Sequence, residues 1–219
     1  MFTRTSLIAL AFSAATASAL TGCQLQDSPS VAAACPATLS FQCLENRRAL
    51  PDFSLLRDDG TALTGQDLQG RWTIVFIGFT YCPDVCPTTL AELRQAQKQW
   101  QALPEASRPR LLFVSVDPER DTPERVGQYA HAFHADTLAA TGTLPALERF
   151  ARSLSLVFMK QAPTDPKRPE VYAVDHSAAL AVIDPQLRFA GHIQPAADRH
   201  GFDAEKIARD FILLSQTQP

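Results

Sequence analysis

Thr73-Ile74-Val75-Phe76-Ile77-Gly78-Phe79-Thr80-Tyr81-Cys82-Pro83-Asp84-Val85-Cys86-Pro87 joins two kinds of local order. Its first half is β-branched and aromatic, which predicts a fully buried strand. Leu90, Leu93, Ala96, Gln97 and Trp100 then recur at helical spacing, and Pro87 falls in the first helical turn, where its missing N–H costs nothing. A buried strand feeding a helix is the building unit of an α/β sheet. Cys82 and Cys86 sit on the junction. On a helical turn that spacing puts their side chains on one face, about 5–6 Å apart at Cβ. A small adjustment closes a disulfide, and both sulfurs can alternatively hold one soft cation. A helix N-terminus favours the thiolate, so the position predicts lowered thiol pKa values. The bland alternative is a stapling disulfide, which over so short a loop gains little stability.

Outward from this junction, strands and helices alternate. Leu111 to Val116 reads as a second buried strand. Thr122-Pro123-Glu124 has the form of a helix start, with Val126, Tyr129, Ala130 and Phe133 as the apolar face. Leu147, Phe150, Ala151 and Leu154 mark a further helix, and Ser155 to Lys160 a short strand. Ala178 to Ile183 and Arg188 to Ile193 flank the turn Asp184-Pro185-Gln186-Leu187, which contains no Gly, and read as a hairpin. Ala204, Ile207, Ala208 and Phe211 close the chain with a helix. This order predicts an α/β thioredoxin-like sandwich: a mixed central sheet flanked by helices, parallel first, ending in a β-hairpin and a helix. In such sheets the chemistry sits beyond the carboxyl ends of the strands.

The 219 residues carry 20 Lys+Arg and 23 Asp+Glu, a net charge of −3, with 46% hydrophobic residues. That excludes a disordered chain and offers no basic excess for nucleic acid. Residues 1–22 read as an export signal: Arg4, then an apolar run from Leu7 to Leu20 that is too short to span a bilayer comfortably. The run ends in Leu20-Thr21-Gly22-Cys23, which resembles a bacterial lipobox. That resemblance implies lipid attachment at Cys23, membrane anchoring, and a domain facing the periplasm or another extracytoplasmic space, with an ordinary signal peptide and a retained membrane anchor as the alternatives. Residues 23–50 read as a tether containing Cys35 and Cys43, and residues 51–219 as the folded domain. In an oxidising compartment Cys35 and Cys43 can form a local disulfide; a second exchanging dithiol, free thiols and incidental metal binding are the alternatives.

Of the five histidines, His131 and His134 fall on or just past a helix, His192 in a strand and His200 in a polar loop. Each has an ordinary structural reading. His176 differs: Val174-Asp175-His176-Ser177 precedes a buried strand at the mouth of the sheet, facing the helix that carries the cysteine pair. It is the candidate third ligand.

Three stretches together resemble the Sco/SenC family of copper-binding, thioredoxin-fold proteins: Gly78 to Pro87, Ser115-Val116-Asp117-Pro118-Glu119-Arg120-Asp121-Thr122-Pro123, and Tyr172-Ala173-Val174-Asp175-His176-Ser177. The resemblance implies one copper ion, Cu(I) or Cu(II), on Cys82, Cys86 and His176. It implies delivery to the dinuclear copper centre of cytochrome c oxidase subunit II or to another copper-receiving protein, alongside other copper or thiol-reducing proteins. A carrier is thus expected rather than a catalyst. The alternatives are a thiol–disulfide oxidoreductase acting through the Cys82/Cys86 dithiol, and a redox or copper sensor. Asp84, Asp117 and Asp175 are candidates to support the ligands, Asp117 by orienting His176 or tuning the thiols.

Overall fold

All six residues of the strand Thr73–Gly78 are buried, as the unbroken apolar run requires. The computed structural model describes residues 39–196 and 201–217, which fall within one compact unit. Its elements in chain order are β1 (Gln42–Ala49), β2 (Ser54–Arg57), β3 (Ala62–Thr64), α1 (Gly65–Leu68), β4 (Thr73–Gly78), α2 (Val85–Trp100), β5 (Arg110–Ser115), α3 (Pro123–Phe133), β6 (Leu138–Thr141), α4 (Leu144–Ser153), β7 (Phe158–Lys160), β8 (Val174–His176), β9 (Leu180–Ile183), β10 (Arg188–Ile193) and α5 (Ala204–Gln216).

Eight strands form one mixed sheet in the order β1-β10-β9-β4-β5-β6-β2-β3. Only β4, β5 and β6 run parallel. Strand β9 pairs antiparallel with β4, and β10 with β9, so the predicted hairpin closes one half of the sheet. The fold is the expected thioredoxin-like sandwich. α3 begins as its sequence predicts: the Thr122 hydroxyl accepts the Arg125 N–H, and Pro123 occupies the first turn.

β7 and β8 form a separate two-stranded ribbon. Strand β8 thus ends in His176, outside the main sheet, rather than leading straight into the next strand. Strand β6 also separates two helices that the sequence reads as consecutive. Leu138-Ala139-Ala140-Thr141 lacks the β-branched and aromatic residues that announce β4, and its strand character comes from pairing with β5 and β2.

The domain boundary expected at Pro51 moves toward the N-terminus. Strand β1 pairs antiparallel with β10, so residues 42–49 belong to the sheet rather than to a tether. Phe41 is buried among Trp72 and Phe211. Around it the Lys206 ammonium donates to the Leu39 carbonyl and the Ser40 N–H to Asp210. The mostly exposed pattern of β1 explains why the sequence hides it: an edge strand carries little apolar alternation. Gly191 forms the bulge opposite, with φ +144°. A Cβ there would lie 1.9 Å from the Gln42 carbonyl oxygen, so no other residue fits. Cys43 is disulfide-bonded, and its partner lies outside the described residues, as do residues 1–22, Cys23, Cys35 and His200.

The β9–β10 turn manages without Gly. Leu187 takes φ +59°, and the buried Asp184 carboxylate accepts the Gln186 and Arg188 N–H groups at 3.0 Å each. Its second oxygen pairs with Arg188 at 2.7 Å and Arg47 at 3.0 Å. An aspartate that bonds its own turn two residues on replaces the freedom of Gly with side-chain hydrogen bonds.

Candidate metal centre

Beyond the carboxyl end of β4 the chain turns into α2, and this junction sets both sulfurs. Gly78 lets them approach the sheet: a Cβ there would stand 2.8 Å from Cys86 Sγ and 3.0 Å from the Phe113 ring. The Cys82 N–H donates to the Phe79 carbonyl at 3.2 Å, closing the turn. The Cys86 N–H in turn donates to Cys82 Sγ at 3.3 Å. Both cysteines are buried free thiols, so the stapling disulfide is not formed in this structure.

His176 arrives from the β7–β8 ribbon. Its ring stands edge-on to Phe76 and Phe79, with centroids 6.0 and 6.2 Å away. Nδ1 lies 3.1 Å from the Ser177 carbonyl, and Nε2 lies 3.5 Å from Cys86 Sγ. A carbonyl only accepts, so Nδ1 carries the proton and Nε2 turns its lone pair toward the sulfurs. Burial holds the imidazole pKa below its ordinary value, against smaller opposing contributions from the Ser177 carbonyl and Asp175. The neutral ring is the form a metal needs. The Cys82, Cys86 and His176 ligand atoms all lie within 4.8 Å of one another. Two sulfurs and one imidazole nitrogen suit a soft, low-coordinate ion such as copper.

One expectation fails here. The helix N-terminus does not lower the Cys86 pKa. Burial pushes this thiol well above the usual range; the Phe79 backbone opposes that, while Cys82 and Asp121 add to it. Desolvation of the charged form outweighs the dipole. The sign of the pH dependence follows. Above about pH 8.5 the unfolded thiol ionises while the folded one keeps its proton. The stability conferred by this group is therefore full below that pH and declines as the pH rises toward the folded value, by about 1.4 kcal/mol per pH unit. Chemical denaturation of the reduced protein at pH 7 and pH 10 measures this loss, and Cys86→Ser removes that component.

The carboxylates divide differently from the sequence reading. Asp117 does not reach His176. It accepts the Arg120 Nε–H at 2.5 Å and the Tyr172 hydroxyl at 2.6 Å. The Arg120 guanidinium lies 3.6 Å from the Tyr172 ring centroid and 4.9 Å from that of Tyr81, and donates to the Tyr172 carbonyl at 3.0 Å. Asp117 thus anchors a clamp between the loop leading to β8 and the loop bearing Cys82. Asp84 is exposed and makes no capping hydrogen bond. Asp175 is exposed too, bonded to the Gln161 amide, and acts on His176 only through its charge.

The sequence reading passed over Asp121. It is buried and accepts the Thr80 N–H at 2.8 Å, the Thr80 hydroxyl at 2.5 Å and the Ser115 hydroxyl at 2.5 Å. These bonds tie the dithiol loop to β5. Its signal was an acid just before a helix-starting Thr-Pro, which reads equally well as a plain helix-start acid. Asp121→Ala strands buried donors and costs about 3 kcal/mol or more, measured by urea denaturation of the reduced protein. A loss below 1 kcal/mol would show the ties to be weak.

Fold and cluster together define a class: a thioredoxin-like domain that brings a dithiol and an imidazole to one point. The chain belongs to the SCO1/SenC family, which it matches over residues 42–210. It is 39% identical over 139 residues to the mitochondrial SCO1 homolog 1 of Arabidopsis thaliana, covering 63% of this chain and 40% of that protein. It is 34% identical over 137 residues to human mitochondrial SCO1, covering 63% and 44%. The chain thus spans less than half the length of these two relatives. Among solved structures it resembles Arabidopsis thaliana ScoI with copper bound, at 32% identity and TM-score 0.64, covering 77% of this chain and 98% of that one. The apo Sco1 protein of Thermus thermophilus matches at 32% identity and TM-score 0.67, covering 80% and 96%.

Proposed function

We propose that this protein carries one copper ion on Cys82, Cys86 and His176 and delivers it to the dinuclear copper centre of cytochrome c oxidase subunit II. The convergence of two free thiols and one neutral imidazole carries the reading. Relatives solved with copper bound, from Arabidopsis thaliana and Bradyrhizobium japonicum, support it. Three ligands leave the ion open to a fourth, which is what transfer to another protein requires. Tyr81 and Val85 beside the cysteines, and Val157 and Met159 on the segment paired with β8, are exposed apolar side chains and offer a docking rim. The test is to mix the Cu(I)-loaded protein with the reduced, metal-free soluble copper domain of subunit II. Copper recovered on that domain after separation supports delivery. Copper retained on this protein against a tighter-binding recipient overturns it.

Thiol–disulfide exchange with the recipient is the second reading, favoured by the adjacent free thiols. The raised Cys86 pKa counts against Cys86 as the attacking thiolate, because the neutral thiol is a poor nucleophile. Incubation of the metal-free reduced protein with the oxidised recipient domain, followed by thiol counting on each, separates reduction from delivery.

The same proposal places the domain outside the cytoplasm, held by lipid on Cys23. Among the described residues no helix is long and apolar enough to cross a membrane. Growth with an alkyne-tagged fatty acid is expected to label the wild type and leave Cys23→Ala unlabelled, with the variant absent from the membrane fraction. Equal labelling of both would exclude Cys23 as the attachment point.

A further inference from the structure

Four residues before His176, Tyr172 is held by Arg120 through both its ring and its carbonyl. The guanidinium carbon stands 3.6 Å from the Tyr172 ring centroid, and Nη1 donates to the carbonyls of Tyr172 at 3.0 Å and Glu170 at 3.3 Å. Nε donates to Asp117, which is buried just past β5. The same guanidinium lies 5.7 Å from the ring centroid of Phe79, and the Phe79 ring is the one that stands edge-on to His176. The Arg120 side chain is 12% exposed, and its Nη2 is buried without a hydrogen-bond partner. A buried guanidinium with a donor unserved is a poor way to gain stability. What its planar fork does supply is a fixed geometry between two loops.

The two sides of that link differ. The dithiol loop has its own ties to β5, through Asp121 to Thr80 and Ser115. His176 instead lies in the two-stranded ribbon, outside the main sheet. Lys160 of the ribbon also reaches the Arg120 loop, its ammonium 4.1 Å from the Tyr172 ring centroid and 2.5 Å from a Glu119 carboxylate oxygen. Both members of that pair are exposed, where an ion pair contributes little. Arg120 is thus the buried link between the end of β5 and the arm that bears the imidazole.

We infer that Arg120 is a positioning residue of the metal centre: anchored by Asp117, it latches the His176 arm against the dithiol loop, so that the third ligand is in place before the ion arrives. A ligand ordered in advance is not ordered at the moment of binding, and that raises affinity. The contribution of the imidazole then depends on a side chain whose hydrogen bonds go to Asp117, Glu170 and Tyr172 rather than to a ligand. The inference rests on copper binding at Cys82, Cys86 and His176, as proposed above.

Arg120→Lys tests it. A lysine keeps the charge beside Asp117 but loses the fork that serves the two carbonyls and the flat face that covers the Tyr172 ring. The full reduced chain, Arg120→Lys, His176→Ala and the double variant form a cycle, with Cu(I) affinity read by competition with a chromophoric chelator. Arg120→Lys is expected to lower the affinity about tenfold in the wild-type background. In the His176→Ala background it is expected to change nothing, because the arm then carries no ligand. Amide exchange of the metal-free reduced protein is expected to quicken along 172–177 and not along β4. Phe41→Ala is the control for lost stability alone, expected to lower the melting temperature and leave the affinity as it is. An equal loss in both backgrounds would mean that Arg120 acts on the sulfurs or on the whole fold, and would overturn the inference. So would unchanged affinity in Arg120→Lys, exchange along 172–177 at the wild-type rate, or a loss of affinity in Phe41→Ala as large as that in Arg120→Lys. A wild type that takes up no copper would overturn the proposed function, and with it the part of Arg120 in the metal centre.

Discussion

His176→Ala lowers the Cu(I) affinity of the reduced protein by about 100-fold or more, since losing a group that merely supports a ligand already costs 10–100-fold. The two sulfurs keep their places, because their positions depend on the β4–α2 junction and not on the ribbon that carries the imidazole. Oxidation and reduction of the dithiol therefore continue in the variant. The measurement is copper retained after competition with a chelator, beside thiol counting through one cycle of oxidation and reduction. A variant that binds copper as tightly as the wild type would remove His176 from the ligand set. A variant whose dithiol no longer cycles would show that the imidazole serves the redox chemistry as well.

Removing the chain before Pro51 strongly destabilises the domain. The cut takes away Phe41, buried to 4% exposure beside Trp72 and Phe211. Truncating one such aromatic costs about 3–5 kcal/mol by itself. It also takes Arg47 from the buried Asp184 carboxylate, which keeps Arg188 and two turn N–H groups, so this loss is the smaller one, about 1–3 kcal/mol. The open edge of β10 is exposed in addition. Against a total stability of about 5–15 kcal/mol, these losses take a large part of it. Near-ultraviolet circular dichroism and a urea titration compare the shortened chain with the full one. Phe41→Ala in the full chain is the milder case, expected to unfold at lower urea while keeping a single transition. A shortened chain with wild-type stability would return residues 39–50 to the role of a tether.

What the sequence disclosed and what it hid follow from the reach of the interactions involved. Strand β4, α2, β5, α3 and the β9–β10 hairpin are built on periodicity and caps that act over a few residues, and these are legible one residue after another. So is the pairing of Cys82 with Cys86, which is a matter of one helical turn. Strands β1, β2, β3 and β6 are short or exposed, and they owe their form to partners far along the chain. The support of the site was hidden for the same reason. Asp117 and Asp121 stand four residues apart in one loop, and only the fold shows that one holds Arg120 and Tyr172 while the other holds Thr80 and Ser115. The thiol pKa followed the wrong guide because local position suggested the helix dipole, whereas burial is a property of the whole domain.

The ribbon of β7 and β8 sets how the centre comes apart. The sulfurs are fixed to the central sheet through α2, while the imidazole rides on two three-residue strands held by a few bonds, among them Ser177 N–H to the Val157 carbonyl at 2.9 Å and Gln161 N–H to the Ala173 carbonyl at 2.8 Å. Withdrawing His176 thus needs only a local opening, with a free energy below that of unfolding the domain. Amide hydrogen exchange should accordingly run faster along 158–176 than along β4. In the copper-loaded form proposed above, the imidazole on this ribbon is expected to yield first and the sulfurs last.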